Sequence, residues 1–129
     1  MSHFSIVKTQ LRKKEPLLAA LRDLGLFPEE GERLVRGYRG QTVKADLAVS
    51  VKKGSDIGFR WNSSSQVYEL VTDLDLWSQP VPVERFISKL TQQYALNTVI
   101  SATSEEGFAV EKQISNVDGS IELVVTRWD

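Results

Sequence analysis

Between Thr42 and Leu74, apolar and polar residues alternate in three successive runs, and nothing else in the chain constrains its fold as strongly. Val43, Ala45, Leu47, Val49 and Val51 interleave with Lys44, Asp46, Ser50 and Lys52. Ile57, Phe59 and Trp61 oppose Asp56, Gly58, Arg60 and Asn62; Tyr68, Leu70, Thr72 and Leu74 oppose Glu69, Val71 and Asp73. Successive side chains leave a strand on opposite sides, so a period of two gives each strand one apolar row. Lys53-Gly54-Ser55 and Ser63-Ser64-Ser65 are turn sequences. The three runs therefore predict an antiparallel meander with one apolar face to cover and one polar face open to solvent.

Two segments can supply the cover. In Glu15-Pro16 through Gly25, Leu17, Leu21 and Leu24 fall on one helical stripe. Proline suits the first turn of a helix, and glycine the residue beyond its end. After Pro80-Val81-Pro82 the period changes, and Val83, Phe86, Ile87, Leu90 and Tyr94 recur at helical spacing. Val99 and Ala102 continue that stripe toward Glu106, ahead of Gly107. Residues 3–9 alternate weakly, with Phe4, Ile6 and Lys8 on one side and Ser5, Val7 and Thr9 on the other, and read as a strand. Phe108 to Ile114 and Ser120 to Trp128 read as a last pair around Asn116-Val117-Asp118-Gly119, where Asp-Gly favours a hairpin turn. Residues 26–41 show no clean period and read as a long connection holding at most a helical turn or a short strand. The predicted fold is one α+β domain over 1–129, a two-layer sandwich. Its mostly antiparallel sheet has about six strands, two helices cover one face, and the order is β-α-β-β-β-α-β-β.

Composition removes several chemistries. The chain has no cysteine and one histidine, which excludes disulfides, thiolate metal sites and a cysteine nucleophile, and leaves a zinc site without its usual donors. His3 alone could serve a Ser-His-Asp arrangement, and it lies near a terminus, where a rigidly held base is hard to build. No cofactor is expected. The start, Met1-Ser2-His3-Phe4-Ser5, is followed by no apolar stretch of the secretory kind. The longest apolar runs, such as Leu17 to Leu21, fall far short of a membrane span. A cytoplasmic protein, cytosolic or stromal, without membrane insertion is the expectation. Charge is uneven: residues 1–60 carry 12 Lys+Arg against 7 Asp+Glu, a balance of +5, and residues 61–129 carry 4 against 10, a balance of −6. Such a split can steer an anionic partner.

Three places could carry function. The first is Arg36-Gly37-Tyr38-Arg39-Gly40-Gln41, two glycines and an aromatic among basic residues. A phosphate loop needs a helix after it, and here a strand follows, so the phosphate-loop and dinucleotide motifs fail. The stretch also departs from the RNA-recognition strand motif after Tyr38. What survives is a flexible backbone with guanidinium groups and a ring, able to hold a phosphate, stack a base or grip a protein. Its ordinary structural role would be a tight turn into the Thr42 strand. The second place is Trp77, between meander and second helix, either a partner anchor or a cap on the core. Trp128 raises the same choice. The third is the carboxylate row Glu69, Asp73 and Asp75, which could bind a hard divalent cation. Cross-strand pairing with Arg60 and Lys44 explains the same charges without a metal.

The ordered set Gly37-Tyr38-Arg39-Gly40-Gln41, Asp56-Ile57-Gly58-Phe59 with Trp61, Tyr68 to Asp73, Val83 to Phe86 through Tyr94-Ala95, and Asp118 to Ile121 through Arg127-Trp128 carries a resemblance. With the opening Met1 to Ser5, it resembles the thirty-fifth "hypothetical chloroplast reading frame" (Ycf) family of cyanobacteria and algal plastids, a domain of unknown function. The resemblance implies a small stromal or cytosolic protein of oxygenic phototrophs. It implies no catalytic residues to carry over.

The expected function is a non-catalytic accessory or protein-binding role, supporting photosynthesis, with another protein as partner. Contacts would come from Arg36, Gly37, Tyr38, Arg39, Gly40 and Gln41, with Trp77 as a second patch. One alternative is binding of RNA or single-stranded nucleic acid through the same loop, against which an acidic pI of about 5.9 speaks. The other is a metal-dependent enzyme at Glu69, Asp73 and Asp75.

Overall fold

A computed structural model describes residues 3–115 and 119–127. The order is β1 (Ser5–Lys8), α1 (Lys14–Asp23), β2 (Pro28–Arg36), β3 (Thr42–Val49), β4 (Ile57–Asn62), β5 (Val67–Thr72), α2 (Val83–Glu105), β6 (Phe108–Ser115) and β7 (Ile121–Arg127). Five strands form one antiparallel sheet in the order β1-β5-β4-β3-β2. Both helices pack on one face of it. The α+β class, the meander and the two helices are those the periodicity predicts.

Two features correct the expected count of strands and their placement. Residues 26–41 contain a full edge strand, β2, which the sequence pattern hides. Of its nine residues only Val35 is buried, so there is no alternation to detect. Edge strands are commonly charged, which blocks pairing with other chains, and Glu29, Glu30, Glu32 and Arg33 fit that pattern. The final pair, β6 and β7, does not join the main sheet but forms a separate two-stranded one after α2. Residues 116–118, most of its expected turn, and Trp128 lie outside the described residues.

The core between sheet and helices brings Leu17, Leu18 and Leu21 of α1 and Phe86 and Leu90 of α2 against Leu47, Phe59 and Leu70. Each fully buried side chain of this size contributes about 1.5–3 kcal/mol. Polar clasps fix the helices to each other. The Tyr94 hydroxyl of α2 accepts from Arg12 N and Lys13 N just before α1, which has no side-chain cap of its own. At the other end of α1, Asp23 Oδ2 accepts from Gln93 and Asn97 of α2. Among the described residues no helix is long and apolar enough to cross a membrane.

The second sheet face is not the open polar surface that strict alternation implies. Leu47 and Val49 of β3 enter the main core, but Val43 and Ala45 pack with Ala48, Val35 and Phe4 in a second cluster. The phase of β3 therefore changes near Asp46. There β3 stops pairing with β4 at Leu47↔Phe59, and the Asp46 carboxylate accepts from Trp61 N at 2.7 Å. A bulge between Glu30 and Arg33 bends β2 as well. The far ends of both strands then fold over β4. Gly58 permits this close approach, since a Cβ there would stand 2.3 Å from Val35 Cγ2. What stays polar is the row Lys8, Glu69 and Arg60 in cross-strand register.

Candidate functional site

Where β2 ends, β4 begins and β5 ends, five polar residues meet. Ser55, Asp56, Thr72 and Asp73 are buried, and Arg36 closes over them from the surface. Buried polar groups must find partners, and these do. Asp56 accepts from Arg36 Nε at 3.1 Å and Nη2 at 3.1 Å, and from the backbone N–H groups of Arg36 at 2.9 Å and Val51 at 3.0 Å. Ser55 Oγ donates to Arg36 O and Asp56 O and accepts from Asp73 N. Thr72 Oγ1 donates to Asp56 O. Burial pushes the Asp56 carboxyl up. The Arg36 guanidinium and the two N–H groups outweigh it, holding the carboxyl below the usual carboxylate range. The same pairing raises the Arg36 guanidinium above its ordinary value.

Above this knot sits the Arg36–Gln41 stretch. Tyr38–Gly40 make a single 3₁₀ turn, closed by Gly37 N to Gln41 O at 2.9 Å and Gln41 N to Tyr38 O at 3.0 Å. The Asp73 carboxylate holds it from below, accepting from Tyr38 N at 3.1 Å, while its other oxygen accepts from Asp75 N. Gly37 leaves little room for a side chain: a Cβ would stand 2.8 Å from Phe4 Cζ and 3.3 Å from Asp73 Cβ, so the Phe4 ring would have to shift. Arg39 sits at φ 51°, ψ 37°, a left-handed conformation that costs a non-glycine residue about 1–2 kcal/mol. Its guanidinium lies 5.1 Å from the centroid of the Tyr38 ring, whose other neighbour is the His3 ring at 4.4 Å. Arg39 is exposed and, among the described residues, joins no ion pair. Gln41 is exposed beside it.

The predicted site residues thus divide. Tyr38, Arg39, Gly40 and Gln41 come together on the surface. Arg36 is committed to Asp56 and to Val51 O at 2.7 Å, so its guanidinium anchors the turn. Trp77 lies elsewhere: its indole N–H donates to Val81 O at 2.7 Å and its ring meets Phe86 edge-on at 5.2 Å, on the margin of the main core. The carboxylate row does not converge. Asp73 is buried and serves the turn, whereas Glu69 faces Arg60 and Lys8 in register. No group of three His, Cys, Asp or Glu among the described residues is placed to hold a metal ion.

Asp56 and Ser55 escape sequence reasoning because a buried, satisfied polar residue looks identical to a solvated one in a period-two pattern. The available signal is positional. Asp56 and Asp73 each stand at the end of an apolar run, where three strand ends could meet.

Comparison with known proteins gives consistent matches. A family model described as "Protein of unknown function (DUF1257)" matches residues 20–124. The "Uncharacterized protein ycf35" of Pyropia yezoensis is 40% identical over 129 residues, covering 100% of this chain and 99% of that protein. Its namesake in Guillardia theta is 38% identical over 128 residues, covering 99% of this chain and 98% of that protein. A third, in Cyanophora paradoxa, is 36% identical over 128 residues, with 99% and 98% covered. No solved structure matches the chain.

Proposed function

We propose, for a chain that belongs to the DUF1257 family of proteins of unknown function, a non-catalytic accessory role in which the Tyr38–Gln41 turn docks onto another protein. The observation that carries this reading is Arg39. A non-glycine residue is held in a left-handed conformation, by a turn seated on buried carboxylates, while its side chain is exposed and forms no ion pair among the described residues. Strain kept in place by its surroundings is characteristic of recognition sites. Tyr38, Arg39 and Gln41 would make contact, Gly37 and Gly40 shape the backbone, and Arg36 anchors it. Trp77 would steady the core rather than meet a partner. The plastid reading-frame name shared by the relatives supports a setting in a plastid stroma or cyanobacterial cytosol, and with it an accessory role in photosynthesis.

The test is affinity capture from the soluble and membrane fractions of a phototroph, using the intact chain and a Tyr38→Ala/Arg39→Ala variant. A specific protein captured by the first and lost by the second, at equal thermal stability, is the expected result. Capture indifferent to both changes overturns the docking site.

A second reading uses the same atoms. The His3 ring, tilted by 48° against Tyr38, and the Arg39 guanidinium beside it make a ring–ring–cation cluster that could receive a base. It requires affinity for RNA or single-stranded DNA that falls steeply with salt. A flat gel-shift titration at low salt removes it.

A further inference from the structure

The Arg36–Gln41 stretch is one of three pieces of chain that come together at the candidate site. Residues 50–56 link β3 to β4, and residues 73–78 follow β5. Hydrogen bonds tie the three to one another. Arg36 Nη2 donates to Val51 O at 2.7 Å, and Tyr38 N to the Asp73 carboxylate at 3.1 Å. Ser55 N donates to Leu76 O at 3.0 Å, and Ser78 Oγ to Lys53 O at 2.6 Å. The backbone that carries Lys52 and Lys53 is therefore held from both sides. Charge is left over on top of this junction. Arg36 is paired with Asp56, and Asp73 is buried beneath the turn. Arg39, Lys52, Lys53 and Asp75 are exposed, and none of them joins an ion pair among the described residues. Three cations and one carboxylate thus meet solvent there, a balance of +2. Counting every charged side chain of the three pieces, buried ones included, four cations still exceed three carboxylates, on a chain whose net charge is −1. Leu74, 41% exposed, adds an apolar spot next to Asp73.

Resting on the docking role of the turn, we propose that the surface spans all three pieces of chain and receives an acidic segment of the partner protein. Its carboxylates would meet Arg39, Lys52 and Lys53, and an apolar side chain would meet Leu74. Exposed cations without partners, gathered on a chain that is otherwise acidic, select and steer opposite charge. A nucleic acid fits this surface less well. It carries a phosphate at every step and would set some of them against Asp75 and the acidic remainder of the chain. A protein segment can place its carboxylates opposite the three cations alone.

The experiment selects a phage-displayed library of random linear dodecapeptides on the intact chain. The enriched peptide is then synthesised and titrated into the isotope-labelled protein by NMR. Enriched peptides should carry carboxylates and an apolar residue, and should shift the backbone amides of residues 38–41, 51–54 and 74–76. Lys52→Glu/Lys53→Glu, at two exposed positions, should weaken binding at least about tenfold, since like charges then face each other. A peptide with lysines in place of its acids should bind that variant, which also shows the variant to be folded. Loss of the acidic peptide in Tyr38→Ala/Arg39→Ala as well completes the expected pattern. Loss there with the lysine pair indifferent leaves the docking turn standing and overturns the acidic partner. Loss in the lysine pair with Tyr38→Ala/Arg39→Ala indifferent removes the turn from the surface and overturns both. Three further results overturn the proposal: no enrichment, shifts confined to other residues, or tighter binding of single-stranded DNA or phosphatidylserine vesicles at the same amides.

Discussion

Arg39 and Gln66 share an unusual backbone conformation, with φ 51° and 60°, and both lie in turns joining neighbouring strands of one sheet. Their turns are held in opposite ways. Around Gln66 everything is local: the Asn62 carboxamide accepts from Ser64 N and Ser65 N, and Gln66 N donates to Asn62 O. Around Arg39 the decisive partners are remote. Tyr38 N reaches Asp73, 35 positions away, and Arg36 reaches Asp56, 20 positions away. A turn that only has to reverse the chain can supply its own hydrogen bonds. The 37–41 turn instead draws on buried carboxylates from two other strand ends, which fix where its side chains stand relative to the whole sheet. The difference is between a connection and a platform.

The largest expected effect comes from removing the platform's base. Asp56→Ala leaves the N–H groups of Arg36 and Val51 without their acceptor, and unsatisfied donors in such places cost roughly 1–3 kcal/mol each. A loss of about 3 kcal/mol should appear as a lower midpoint in urea unfolding with an unchanged slope. Acid should act on the same carboxyl. Its folded pKa lies below its unfolded value, so its contribution is complete above about pH 4 and is lost as pH falls through the lower, folded value. In Asp56→Asn that part of the acid sensitivity should vanish. If Asp56→Ala destabilises no more than a surface change would, the knot does not hold the turn.

Asp73→Ala should come next, at about 1–2 kcal/mol, since it frees Tyr38 N and Asp75 N. Partner capture should fall further than this stability loss explains, because the turn loses its floor. Asn62→Ala removes two exposed turn hydrogen bonds and should cost about 0.5–1 kcal/mol with capture untouched. Equal effects of these two changes on capture would erase the distinction between platform and connection.

The same contrast explains what the sequence discloses. Ser63-Ser64-Ser65 is legible as a turn because its bonding partners lie within four residues. The helices are legible because Leu17, Leu21, Phe86 and Leu90 all face one core and keep one period. β2 is not, since an edge strand with a single buried residue leaves no periodic trace. The phase change in β3 is not either, because it depends on Asp46 meeting Trp61, 15 positions on. At the candidate site the exposed members Tyr38, Arg39 and Gln41 are visible as an unusual cluster. The roles of Arg36 and Asp73 are invisible, because identity alone cannot say whether a charge meets solvent or a partner brought in by the fold.

The smallest expected stability effects test the comparison most closely. Glycine replaces a left-handed residue without steric cost, relieving about 1–2 kcal/mol of strain, but it adds about 0.5–1 kcal/mol of unfolded-state entropy to be lost. Gln66→Gly and Arg39→Gly should therefore each change stability by less than about 1 kcal/mol, in the stabilising direction if in either. Gln66→Gly also forfeits one exposed bond, Nε2 to Ser63 O, which trims its gain. In capture the two should part: Gln66→Gly unchanged, Arg39→Gly weaker by about tenfold, the scale of a modest interface contact. A marked loss of stability in Arg39→Gly would mean that the guanidinium over Tyr38 is itself a structural contact. The strain at Arg39 would then be offset within the fold, and no partner would be needed to explain why an arginine occupies that position.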